Sequence, residues 1–109
     1  MRLVLEDIHG NSKVAYLGGW LIQGKQITIS PRSYSEGRET FTELYDFFTQ
    51  ALGPSVDIHT LDTLKPRIIT SWTYQLDSKY GSHRFFIKDQ ENLTLFLLKY
   101  SNQLTGWAR

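Results

Sequence analysis

The sequence predicts an α+β fold: an antiparallel sheet with two helices on one face, read as a tandem βββα pseudo-repeat. Three observations predict it. Short apolar or alternating runs are separated by glycine, asparagine and aspartate turns, as strands are. Two segments, 40–52 and 90–103, instead space their apolar residues by three and four, as amphipathic helices do. Each helical segment follows strand-like ones, so strand, strand, strand, helix is met twice.

Arg2 to His9 alternates weakly, with Leu3 and Leu5 on one face and Val4 and Ile8 on the other. Apolar residues on both faces mark a strand at least partly covered on each side. Gly10-Asn11-Ser12 reads as a turn, and Val14 to Gln23 as the next strand, loosened in its middle by Gly18-Gly19. Gly24-Lys25 closes a hairpin, and Gln26 to Ser30 returns with Ile27 and Ile29 on one face. Pro31 to Glu39 is the most polar stretch and is expected to be a surface loop. Thr40 then caps a helix, Thr40 and Glu43 making a Thr-x-x-Glu capping box. Phe41, Leu44, Tyr45, Phe48 and Leu52 form its apolar stripe, and Gly53-Pro54 ends it.

The second half begins with a short strand at Ser55 to His59. A strand from Arg67 to Leu76, a turn from Asp77 to Ser82 and a strand from His83 to Lys88 follow. The last helix runs from Gln90 to Gln103, with Leu93, Phe96, Leu97, Tyr100 and Leu104 as its stripe. At an offset of 52, Trp20 falls on Trp72, Lys13 on Lys65, Phe41 on Leu93 and Phe48 on Tyr100. Asp7-Ile8-His9 recurs as Asp57-Ile58-His59. The chain is thus expected to be one domain, 1–109, with possible halves 1–53 and 54–109. In the order of its elements it resembles the Whirly and PUR-repeat proteins, and that resemblance implies binding of single-stranded nucleic acid.

Composition narrows the function. Hydrophobic residues make up 40% and charged residues 21% of the 109, which is the balance of a globular chain. A net charge of +1 excludes a strongly basic nucleic-acid arm and an acidic mimic of DNA alike. With no cysteine, disulfide scaffolds, thiolate metal sites and cysteine nucleophiles all drop out, and a cytoplasmic location is expected. No apolar run reaches the roughly 20 residues of a membrane helix, so no membrane partner is expected. Neither a Gly-x-Ser-x-Gly elbow nor a phosphate-binding glycine loop occurs, which leans away from an enzyme and calls for no cofactor.

Two sets of residues carry possible chemistry. Arg84, Phe86 and Lys88 alternate on one face of their strand while Phe85 and Ile87 take the core face, so the first three are expected outside. Lys79 and Tyr80 in the adjoining turn extend this basic-aromatic surface, as do Lys25, Arg32, Tyr34 and Arg38 from the first half. Rings stack on bases and cations track phosphates, so the surface suits single-stranded DNA or RNA. Alternating charge on a strand is also what a plain solvated face looks like. The second set is the two Asp-x-His pairs, Asp7 with His9 and Asp57 with His59, whose ligand types suit a divalent metal or acid-base work if the halves bring them together. Beside turns, the same residues serve backbone hydrogen bonding. Trp20 and Trp72 are expected to be core anchors.

The expected function is a small non-enzymatic binding module for single-stranded nucleic acid. The alternative is a protein-protein adaptor or inhibitor, a homodimer among the options, using Trp107 and Tyr34. A metal-dependent enzyme built on the Asp-x-His pairs is the third.

Overall fold

The computed structural model describes residues 1–7, 25–60, 71–87 and 90–105. The fold is α+β. Strands β1 (Leu3–Asp7), β2 (Lys25–Ile29), β3 (Trp72–Gln75) and β4 (Arg84–Ile87) form an antiparallel sheet. A two-residue strand β5 (Leu104–Thr105) joins parallel to β1, giving the order β3-β4-β2-β1-β5. Helices α1 (Tyr34–Leu52) and α2 (Gln90–Tyr100) complete the fold. Among the described residues, no helix is long and apolar enough to cross a membrane.

Register sorts every strand residue onto one of two faces. Leu5, Ile27, Phe85 and Tyr74 form one transverse row, with Leu3 and Ile29 on one side of it and Ile87 and Trp72 on the other. This face buries Leu44 and Phe48 of α1 and Leu93, Phe96 and Tyr100 of α2 in one core. The centre of that core is aromatic. Phe48 lies 5.4 Å from Trp72, 5.1 Å from Phe85 and 5.8 Å from Phe96, ring centre to ring centre. The Trp72 indole N–H donates to the Gly53 carbonyl at 2.9 Å, so the anchor predicted at Trp72 has its polar atom satisfied.

The other face carries two more rows, Glu6-Gln26-Phe86-Thr73 and Val4-Thr28-Arg84-Gln75. Here the expectation for Phe86 is overturned. Its ring is 0% exposed, and its row mates Gln26 and Thr73 are buried as well. A strand that reads Phe85-Phe86-Ile87 without interruption is covered on both faces, and alternation alone cannot show which side is open.

Three element boundaries also differ from expectation. The polar stretch after Pro31 is helical from Tyr34, not a loop, because the Ser33 hydroxyl accepts from the Glu36 N–H at 3.2 Å and caps α1 seven residues before Thr40. Thr40 itself is buried inside the helix. Ser55 to His59 is not a strand: Asp57 forms a single parallel bridge with Tyr74, and the chain turns helical over 58–60. After Tyr100 the chain tightens into a 3₁₀ turn, Ser101–Gln103, and Leu104 pairs with β1 where the helical stripe was expected to continue.

The succession ββα occurs twice among the described residues, but it does not establish a duplication. β1 lies beside β2, whereas its expected counterpart at 55–59 lies beside β3. The strand expected at Val14 to Gln23, with Trp20 and Gly18-Gly19, lies outside the described residues, as do Arg67 to Thr70 and Trp107.

Candidate functional site

The N-terminus of α1 and the β3–β4 turn meet at two glycines. Gly37, one turn into α1, approaches Gly81 so closely that a Cβ on Gly37 would collide with the Gly81 carbonyl oxygen. Gly81 has φ 77°, a conformation that suits glycine. The turn is built by Asp77. Its carboxylate Oδ1 accepts from the N–H groups of Lys79 at 3.0 Å and Tyr80 at 3.2 Å, and its carbonyl accepts from Gly81 N–H at 3.0 Å. The Asp77 N–H donates in turn to His83 Nδ1 at 2.9 Å. His83 is buried and packs edge-on against Phe41 at 5.1 Å, and burial holds its pKa below 6.5 against a smaller upward pull from Asp77. A neutral imidazole therefore accepts at Nδ1 and pins the start of the turn.

This junction gathers most of the predicted basic-aromatic residues at one end of the molecule. Tyr34 is 48% and Tyr80 64% exposed, with Lys79 Nζ 5.2 Å from the centre of the Tyr80 ring. Arg32 precedes the cap, Arg38 stands one turn along α1 from Tyr34, and both are exposed. Arg84 is half-buried at the start of β4, on the face away from the helices. It lines a cleft with Gln75, Leu76, Asp77 and Ser82. Phe86 is not part of this surface, and Lys88 lies outside the described residues. Lys25 sits at the far end of β2, paired in register with Asp7 and Ile87.

The Asp-x-His pairs are placed only in part. Asp57 Oδ1 accepts from the Thr60 N–H at 2.7 Å and caps the turn over 58–60. The Thr60 hydrogen bond holds the carboxyl below its usual range, outweighing a weaker opposing effect of burial. His59 is exposed. Asp7 closes β1, and His9 lies outside the described residues. No group of three or more metal-ligating side chains occurs among the described residues.

Sequence reasoning missed Gln75, Gly37 and His83. Gln75 was visible only as a polar strand end. Ser33-x-x-Glu36 was a readable capping signal for the helix that carries Gly37. No protein-family model matches the chain, and no curated protein or solved structure is detectably similar to it, so the likeness in element order carries no further argument.

Proposed function

We propose that the chain is a small non-enzymatic module that binds single-stranded nucleic acid at the junction of α1 and the β3–β4 turn. One observation carries the reading: two exposed tyrosines and three exposed cations, Arg32, Arg38 and Lys79, sit on two segments held together by the Gly37–Gly81 contact. Exposed rings give bases a surface to stack on, and cations beside them give the backbone its counter-charge. Glu36, Glu39 and Asp77 lie on the same two segments, so the electrostatic share is modest.

Fluorescence anisotropy with a labelled oligonucleotide tests it. Affinity should fall as salt rises, with a slope of about two to three phosphates. Tyr80→Ala should weaken binding by ~1–3 kcal/mol, the scale of one lost stacking contact. Lys79→Ala should flatten the salt slope. Absence of binding at low salt, or binding indifferent to all of these residues, overturns the reading.

A protein contact is the second reading, favoured by Leu95 and Leu98 on the outer side of α2, where Leu98 is 79% exposed. Native mass measurement of the chain distinguishes a self-associating adaptor from a monomeric module.

A further inference from the structure

The cleft beside the β3–β4 turn holds two polar groups without a hydrogen-bond partner among the described residues. It encloses about 230 Å³ and is lined by Gln75, Leu76, Asp77, Ser82 and Arg84. Gln75 and Arg84 are direct partners across β3 and β4, so their side chains leave the sheet side by side. Gln75 Oε1, an acceptor, and Arg84 Nε, a donor, are both buried and have no hydrogen-bond partner among the described residues. A fold that buries such atoms carries their desolvation without return unless something else completes them. Both belong to side chains that line the cleft.

We propose that this cleft seats a nucleobase with the hydrogen-bonding pattern of guanine, a proposal that rests on the nucleic-acid reading and gives it a base preference. The lining is mixed in sign: the Arg84 guanidinium is balanced by the Asp77 carboxylate, which makes a poor seat for a phosphate. A base edge needs donors and acceptors in turn, and that is what the cleft offers. Guanine presents N7 and O6 as acceptors beside N1–H and an amino group as donors. The Arg84 fork meets the first pair, and Gln75 Oε1 with Asp77 meets the second. Thymine shares the acceptor and adjoining N–H but lacks N7 and the amino group. Adenine and cytosine turn an amino donor toward the guanidinium, so the site opposes them. Leu76, 55% exposed, supplies an apolar wall.

The test compares short oligo-dA strands that differ in one central base, with guanosine monophosphate as a separate arm. A central guanine should tighten binding roughly tenfold over adenine, with thymine between and cytosine near adenine. Gln75→Leu, which removes the acceptor at similar size, should abolish the preference; Gln75→Glu should keep it. Should Gln75→Leu melt early by circular dichroism, Arg84→Lys reads the same preference, since it keeps the charge and loses the fork. Equal affinity for all four strands overturns the base seat and leaves the strand-binding reading intact. Guanosine monophosphate bound in a Gln75-dependent way without any strand binding supports the seat and overturns the strand reading. Binding of neither overturns both.

Discussion

Gly37 and Gly81 bring two segments distant in sequence into backbone contact, and the consequence is measurable. The atom a Cβ on Gly37 would meet is a backbone carbonyl oxygen, which cannot swing aside as a side chain can. Gly37→Ala gains the helix propensity of alanine, roughly 0.8–1 kcal/mol. It also forces α1 and the turn apart, an overpacking cost of typically ~1–3 kcal/mol. The variant should therefore be less stable than the parent by urea titration, and its oligonucleotide affinity should drop as Tyr34 and Tyr80 separate. A variant more stable than the parent by the full helix-propensity gain would mean the two segments do not touch. In the sequence, Gly37 stands among serine, glutamate and arginine and reads as a loop glycine, because composition cannot reveal a contact 44 residues away. The same limit hid Phe86. Period two fixed its face correctly as opposite to Phe85, but whether that face is covered depends on the rest of the chain.

At the scale of elements, cores of helices and strands were legible and their ends were not. The stripes Phe41-Leu44-Phe48 and Leu93-Phe96-Tyr100 place both helices, since burial of one face is what defines them. Gly53 ends α1 as expected, with φ 88° and its N–H donating to the Thr49 carbonyl at 3.0 Å. The start of α1 was misplaced because two capping boxes compete, Ser33-Glu36 and Thr40-Glu43, and propensity cannot choose between them. Packing chooses: starting at Ser33 adds two turns and lays Gly37 on Gly81. Ser33→Ala should accordingly cost ~0.5–2 kcal/mol and shorten the helix seen by circular dichroism. A loss of helix signal with no loss at Thr40→Val would fix the upstream start, whereas indifference to Ser33 would return the stretch to a loop. Leu104 shows the opposite case, a residue of the right period taken by a sheet edge, where pairing with β1 satisfies backbone groups that a frayed helix end leaves open.

Across the whole molecule, the groups that burial holds neutral set the range of pH over which the fold is most stable. His83, whose pKa is pushed below 6.5 by burial, binds its proton more weakly folded than unfolded. Its contribution is complete above about pH 6.5 and is lost as pH falls through that value toward the lowered one. Protonation at Nδ1 also breaks the bond from the Asp77 N–H, so the loss is felt at the turn that bears Lys79 and Tyr80. Asp57 adds a second acid step. Its carboxyl is lowered from 3.8 mainly by Thr60, so its capping is complete above 3.8 and fades below. On the alkaline side, burial raises Tyr74 above 10.0, and burial with the neighbouring Glu43 carboxylate raises Tyr100 to about 12. For these phenols the neutral form is the folded one, so their contribution is complete below pH 10.0 and drains as pH rises toward 12. Urea midpoints should therefore stay level between about pH 6.5 and 10 and decline on both sides. His83→Gln, which keeps an acceptor and does not titrate, should flatten the decline between pH 6.5 and the carboxylate range and leave the alkaline side unchanged. A midpoint that rises from pH 7 to 5, or a variant with the parent's full acid decline, would remove His83 from the account. Oligonucleotide affinity followed over the same range should weaken along the His83 limb, because the turn it pins carries Lys79 and Tyr80.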